Sequence, residues 1–130
     1  MNKNIAITVI TWNDWENTTI CLESIFQSTY EHFDVILVNN GSDNSYIKKI
    51  YDWANNKIKI EDEEIIFNSN KKIEIINVTN NFKIELKGKK KIYLINSKKN
   101  VGLTAGLNLG YRFCINQNYD YIARIDCDFI

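Results

Sequence analysis

Short runs of apolar, mostly β-branched residues alternate along this chain with segments whose apolar residues recur at helical spacing. Residues 5–11 and 33–38 are apolar on both faces, which is typical of strands buried on both sides of a parallel sheet. Between these two runs, the apolar residues from Trp15 to Phe26 recur with the period of a helix. The alternation predicts an α/β layer fold with right-handed crossover connections.

The same alternation continues to the end of the chain. We predict a second helix over 46–54, a third strand over 92–96, a helix containing Leu103, Leu107, Tyr111 and Ile115, and a last buried strand over 121–125.

The segment from about Lys57 to Lys91 interrupts this pattern because it is polar and rich in Lys and Glu. It contains two alternating stretches, 73–78 and 82–86, which are joined by Thr-Asn-Asn. We therefore expect an inserted β-hairpin at the periphery of the fold, outside any ligand site. The basic residues around Lys71, Lys89 and Lys98 are interpreted as solvated faces.

Composition excludes several classes of protein. Sixteen Lys+Arg balance sixteen Asp+Glu, so no overall charge attracts nucleic acid or an anionic membrane. The N-terminal residues do not form a secretory signal, and no apolar run approaches the roughly 20 residues of a membrane span. We expect one soluble domain over residues 1–130, located in the cytoplasm and without a nucleic-acid partner.

The cysteines, Cys21, Cys114 and Cys127, are three in number and widely spaced, without a Cys-x-x-Cys pair. This pattern indicates neither a disulfide framework nor a zinc site. We expect three small, buried thiols and a reducing compartment.

Polar clusters follow four of the predicted strands. In an open α/β sheet, ligands bind beyond the carboxyl ends of the strands, and the topology brings distant loops together there. We therefore predict one site formed by residues 11–13, 39–43, 96–100 and 126–128.

The tripeptide Asp126-Cys127-Asp128 places two carboxylates on one side of an extended backbone. Mg²⁺ or Mn²⁺ is commonly held by one or two carboxylates together with substrate phosphates. An ordinary surface turn is the alternative for this tripeptide. Trp12 could stack on a nucleobase, and its alternative is a core aromatic.

Three glycines, Gly102, Gly106 and Gly110, are spaced four residues apart at the start of the third predicted helix. Residues at this spacing share one helix face, so Gly106 and Gly110 should allow close packing on the sheet. Gly102, with Asn100, should shape the loop before the helix.

With these clusters in order, the chain resembles the N-terminal half of family 2 glycosyltransferases of the GT-A fold. The resemblance is carried by IAITVITWND, CLESIFQSTYEHFDVILVNNGSDNS, NVGLTAGLNLG and YDYIARIDCDF. It implies a Rossmann-like, three-layer sandwich with a mostly parallel sheet, and the last two motifs are most similar to the bacterial cell-surface polysaccharide branch. Residues 1–130 would then be the nucleotide-sugar-binding half.

The resemblance also implies roles for single residues. Thr11 and Trp12, followed by Asn13, occupy the place of the family's Thr-Tyr pair, which holds the uracil or thymine ring of the nucleotide and stacks on it. Asn39 stands where the family usually has a base-reading aspartate, and Asp43 matches the later aspartate of that loop.

Further along the chain, Asn100, Gly102 and Asn108 match the region beside the sugar diphosphate. Asp128 would bind the metal, whereas Asp126 would bind the ribose, or the metal through water.

The implied reaction is inverting transfer of a sugar from a UDP- or dTDP-sugar to a saccharide or lipid-linked acceptor, with Mn²⁺ or Mg²⁺ as cofactor. The family places the catalytic base in its C-terminal half, beyond Ile130, so we expect this chain to bind the donor without transferring its sugar. Parts outside the chain could attach the enzyme to the cytoplasmic face of the inner membrane.

Two other functions are compatible with this fold. One is a non-catalytic nucleotide-binding or interaction module. The other is a nucleotidyltransferase, which is disfavoured because the loop after the first strand, Trp-Asn-Asp-Trp-Glu, has neither glycine nor a basic residue to hold phosphates.

Overall fold

A computed structural model of the chain describes residues 2–62 and 64–127. Its strands are β1 (Ile5–Thr11), β2 (Phe33–Asn40), β3 (Ile75–Asn77), β4 (Ile92–Ser97) and β5 (Tyr121–Arg124), and its helices are α1 (Trp15–Phe26), α2 (Asn44–Ala54) and α3 (Leu103–Asn116). The predicted strands and helices outside the inserted segment are therefore confirmed. In the described part of the chain, no helix combines the length and the apolar character that a membrane crossing requires.

The five strands form one parallel sheet in the order β3-β4-β2-β1-β5. All eight residues of β2 are buried because this strand lies in the middle of the sheet. On one face, Leu22 of α1 and Trp53 of α2 pack with Val35 of β2. On the other face, Phe113 of α3 packs with Ile36. The predicted Rossmann-like three-layer α/β fold is confirmed.

The spacing of glycines in α3 allows this helix to lie directly on the sheet, as predicted. A Cβ atom on Gly106 would lie 2.5 Å from Cδ1 of Ile10, and one on Gly110 would lie 3.1 Å from Cγ2 of Val38. Larger residues at these positions would push α3 away from β1 and β2.

The last strand differs from the prediction because β5 is exposed rather than buried. It pairs with β1 at the edge of the described sheet, and Tyr121 is 59% exposed. Its apolar residues resemble those of a buried strand, but the sequence does not indicate which strands occupy the edges.

The predicted hairpin in the inserted segment is wrong. The first alternating stretch contributes β3, which pairs in parallel with β4 and extends the main sheet. The second stretch is not a strand, and the Gln117 side chain binds two of its backbone groups: Gln117 Oε1 accepts from the Ile84 N–H at 2.8 Å, and Gln117 Nε2 donates to the Phe82 carbonyl at 3.0 Å. Ile84 is buried and Phe82 packs against the same core cluster, so the segment is not merely peripheral.

Lys71 is buried rather than solvated, which also corrects the sequence-based interpretation. Its Nζ lies 3.3 Å from Oε1 of Glu23 in α1, and both side chains are almost completely inaccessible. The ammonium donates to the Asn68 carbonyl at 2.8 Å and to Oδ1 of Asn56 at 3.0 Å. Glu23 also accepts a hydrogen bond from the Trp53 indole at 3.0 Å. This ion pair attaches the inserted segment to α1 and α2.

The expectation of three free thiols is also wrong. Cys21 of α1 and Cys127 form a disulfide across 106 residues, with their Cα atoms 5.5 Å apart. Cys114 is a buried free thiol, as expected. The disulfide could not be read from spacing because β5 adds beside β1 only in the folded sheet, where it brings residue 127 close to α1.

Candidate functional site

Loops from the carboxyl ends of β1, β2, β4 and β5 surround a pocket of about 400 Å³. The convergence of distant polar clusters at this edge of the sheet is therefore confirmed. The pocket is lined by Ile10, Thr11, Trp12, Asp14, Thr18, Asn40, Asn100, Leu103, Arg124, Asp126 and Cys127.

The end of β1 presents one buried and one exposed side chain to this pocket. The hydroxyl groups of Thr11 and Thr18 share a buried hydrogen bond of 2.8 Å, which attaches the strand end to α1. Trp12 is 54% exposed, so its indole is not part of the core. An exposed indole on a pocket wall provides a flat apolar surface on which a planar ring can stack.

Asn13 connects the loop after β1 to the loop after β2 and does not line the pocket. Its backbone has a φ of 47°, a conformation that asparagine tolerates better than most residues. Its Oδ1 accepts from the Asp43 N–H at 2.8 Å, and its own N–H donates to the Ser42 hydroxyl at 2.9 Å. The carboxylate of Asp43 caps α2 by accepting from the Ser45 N–H at 3.1 Å. The predicted residues Asn13 and Asp43 thus shape the rim.

The two asparagines at the end of β2 point to different neighbours. Asn39, predicted to bind the nucleotide in place of the family's base-reading aspartate, donates to Oδ1 of Asn96 at 2.9 Å and is not among the pocket-lining residues. Asn40 lines the pocket, and its Nδ2 lies 3.2 Å from both Oδ1 of Asn100 and the Gly102 carbonyl. Its Oδ1 accepts from the Val101 N–H at 3.1 Å.

Asn40 therefore holds the loop that precedes α3, a role that sequence reasoning missed. The alternation of side chains along a strand indicates this role, because the consecutive residues Asn39 and Asn40 must face opposite sides of the sheet. Gly41 makes this contact possible, since its φ is 81° and a Cβ there would lie 2.3 Å from the backbone of Lys99.

The loop before α3 and the helix itself contain three further predicted residues, of which one lines the pocket. Asn100 lines it and accepts from the Gly102 N–H at 2.7 Å. Gly102 has a φ of 87° and precedes the first residue of α3. Asn108 lies on the exposed surface of α3 and is not a pocket residue.

The end of β5 supplies a pair of opposite charges. Nε of Arg124 donates to Oδ1 of Asp126 at 2.9 Å, and the two side chains are 40% and 52% exposed. The hydrogen bond with Asp126 raises the pKa of Arg124 above its ordinary value. Asp126 was predicted as a site residue, whereas Arg124 was not. The predicted metal ligand Asp128 lies outside the described residues.

The donor set fits a hard divalent cation only in part. Among the described pocket residues the carboxylates are those of Asp14 and Asp126. Asp14 caps α1, and its oxygens accept from the backbone and side-chain N–H groups of Asn17 at 3.2 and 3.0 Å. No cluster of three or more His, Cys, Asp or Glu residues occurs within 2–62 and 64–127. Asp126 alone is compatible with Mg²⁺ or Mn²⁺, because such ions often take one protein carboxylate and complete their shell with phosphates and water.

Comparison with known proteins identifies the family. The model of glycosyl transferase family 2 matches residues 6–83, which is more than half of the chain. The chain belongs to glycosyl transferase family 2. No curated protein matches it.

Membership of glycosyl transferase family 2 confirms the resemblance inferred from the motifs and is consistent with a GT-A fold. The family transfers sugars from nucleotide donors to acceptors, and this is the function that the match supports. The matched residues include Thr11, Trp12 and the end of β2, whereas Asn100 and Asp126 lie beyond them.

Proposed function

We propose that the pocket binds the nucleoside diphosphate of a sugar donor, with UDP or dTDP as the nucleotide and Mn²⁺ or Mg²⁺ as the cofactor. The observation that carries this proposal is the position of the exposed Trp12 indole and the Asp126 carboxylate in one pocket of a glycosyl transferase family 2 chain. The indole offers a stacking surface for the base, and the carboxylate offers a ligand for the cation.

The chemistry of donor cleavage explains why a carboxylate is needed in this pocket. When the bond to the anomeric carbon breaks, negative charge develops on the leaving diphosphate, and a bound divalent cation stabilises that charge. Asp126 would hold the cation, and Asn40 and Asn100 would keep the neighbouring loop in place.

We further propose that the transfer proceeds with inversion, to a saccharide or lipid-linked acceptor of a bacterial surface polysaccharide. Inversion requires a base on the face opposite to the leaving group. The pocket carboxylate of Asp14 is engaged in capping α1, and we do not assign the base to it.

Calorimetric titration with UDP, dTDP, GDP and ADP, with and without Mn²⁺, tests the proposal. We expect UDP or dTDP to bind most tightly, and the affinity to fall when Mn²⁺ is removed. Trp12→Ala should weaken binding by about 1 to 3 kcal/mol because a base-stacking surface is lost.

Tyr121→Ala provides the matched control. Tyr121 is an aromatic residue of similar exposure, 59% against 54% for Trp12, and it does not line the pocket. It should leave the affinity unchanged. Equal effects of the two substitutions, or no binding of any nucleotide by the folded chain, would refute the assignment.

A further inference from the structure

The pocket contains one positively charged side chain within the described residues, that of Arg124. We propose that Arg124 binds the diphosphate of the donor directly and that its ion pair with Asp126 is the resting position of the guanidinium. This inference rests on the proposed function, because it assigns a further ligand-binding residue to the same pocket.

The position of Arg124 makes direct contact with a ligand feasible. It is the last residue of β5, at the carboxyl end of the sheet, and its side chain is 40% exposed on the pocket wall. The contact with Asp126 uses Nε, whereas a guanidinium carries five N–H donors in a planar fork. That fork matches two phosphate oxygens.

The charges of the pocket favour a second cationic group beside a bound metal ion. The pocket's other charged side chains in the described residues are the carboxylates of Asp14 and Asp126, both of which repel a diphosphate. A cation that binds the Asp126 carboxylate would compete with Arg124 for its negative charge. A guanidinium freed by this competition would lie beside the phosphates that the same cation attracts.

The choice of arginine is itself informative in this chain. Of its sixteen basic residues, only Arg112 and Arg124 are arginines, and the rest are lysines. Arg112 lies on the exposed surface of α3, so Arg124 is the one arginine in the pocket. A lysine would pair with Asp126 equally well as a point charge, whereas bidentate recognition of phosphate favours arginine.

The test compares nucleoside diphosphates with their nucleosides. Affinities of the chain for UDP, uridine, dTDP and thymidine are measured in Mg²⁺ for the wild type, Arg124→Gln, Arg124→Lys and the control Arg112→Gln. We expect Arg124→Gln to weaken diphosphate binding about 10- to 100-fold while leaving nucleoside binding unchanged, because a charge-assisted hydrogen bond is lost. Arg124→Lys should recover only part of the affinity, and Arg112→Gln should behave as the wild type.

Two outcomes would overturn the inference while leaving the proposed function intact. One is wild-type diphosphate affinity in Arg124→Gln, and the other is an equal loss for diphosphate and nucleoside. If the wild type binds neither UDP nor dTDP, the proposed function fails and the inference fails with it.

A second comparison distinguishes phosphate binding from simple positioning of Asp126. Arg124→Gln is introduced into the Asp126→Asn background, where the ion pair no longer exists. A further loss of diphosphate affinity supports direct contact, since the carboxylate that Arg124 could position is already absent. No further loss would show that Arg124 acts only through Asp126, which would overturn the inference. Thermal melts of each variant confirm that it is folded.

Discussion

Replacing Lys71 with methionine should destabilise the fold strongly although Lys71 lies in a polar, lysine-rich segment. The substitution preserves most of the apolar stem and removes the charge. It leaves the Glu23 carboxylate buried, with hydrogen bonds from Trp53, Gln27 and the Asn68 backbone but without a cation. Breaking a buried ion pair on one side typically costs about 3 to 5 kcal/mol, because an uncompensated charge remains.

This cost is large enough to measure with accuracy. For a domain of this size, each kcal/mol lowers the midpoint of thermal unfolding by about 3 to 4 °C, so Lys71→Met should lower it by roughly 10 to 20 °C. Urea titration should give the same loss from the shift of the midpoint at constant slope. The double variant Glu23→Gln/Lys71→Met should be more stable than Lys71→Met, since it no longer buries an unpaired charge.

Lys48→Met is the matched control. Lys48 forms an ion pair of 3.0 Å with Asp52 on the surface of α2, and its side chain is 75% exposed. Such pairs contribute about 0 to 1 kcal/mol, so this variant should resemble the wild type. If the Lys71 and Lys48 variants lose equally little stability, the buried pair does not hold the inserted segment, and the reasoning is refuted.

Three further predictions concern thiols, pH and the loop after β2. In denaturant without reductant, one thiol per chain should react with a thiol reagent, that of Cys114, because Cys21 and Cys127 are joined in a disulfide. In the folded chain at about pH 8 no thiol should react, because burial raises the pKa of Cys114 to about 12. Three reactive thiols in denaturant would contradict the disulfide. Burial also raises the pKa of Tyr93 from 10.0 to about 12, and it raises the pKa of Tyr119 as well. The neutral phenols therefore stabilise the fold fully below their unfolded-state pKa of 10.0, and this stability decreases as the pH rises towards 12. Urea midpoints that stay constant from pH 10.0 to 12 would contradict this. Tyr119→Phe should make the decrease smaller. Gly41→Ala should weaken UDP binding by about tenfold, because its Cβ would displace the backbone of Lys99 and Asn100 in the loop before α3. Unchanged calorimetric affinity would contradict a role for this loop in nucleotide binding.

Local patterns were sufficient for most of the fold. The apolar runs of β1 and β2 identify buried parallel strands, because a strand covered on both faces is commonly apolar at successive positions. The glycine spacing in α3 likewise identifies the face that meets the sheet, since Gly106 and Gly110 share that face.

Partners distant in sequence could not be predicted in the same way. The alternation of apolar and polar residues in the inserted segment indicates a strand, but it does not reveal that this strand, β3, pairs in parallel with β4. Of the fourteen lysines, Lys71 is the buried one. It is buried because it pairs with Glu23, which lies 48 positions earlier, and the sequence around Lys71 does not reveal this partner.

The candidate site was predicted at the level of the strand ends rather than of single side chains. Trp12 and Asp126 directly follow predicted strands, which is why the sequence indicates them, and both line the pocket. Asn39 was chosen by resemblance, whereas its neighbour Asn40 faces the pocket and holds the next loop. Arg124 was missed because its role depends on a contact with Asp126 that is visible only in three dimensions.

The central claim, that this pocket binds a nucleoside diphosphate, is tested most directly by ¹H–¹⁵N NMR of the chain titrated with UDP and dTDP in Mg²⁺. The chain has three tryptophans, and their indole N–H signals report on different places: Trp12 on the pocket wall, Trp15 at the start of α1 and Trp53 in the core. We predict that the Trp12 indole and the side-chain amides of Asn40 and Asn100 shift with saturating concentration dependence, while the Trp53 indole, hydrogen-bonded to Glu23, does not move. Shifts confined to other parts of the sheet, or none at millimolar nucleotide, would contradict the account.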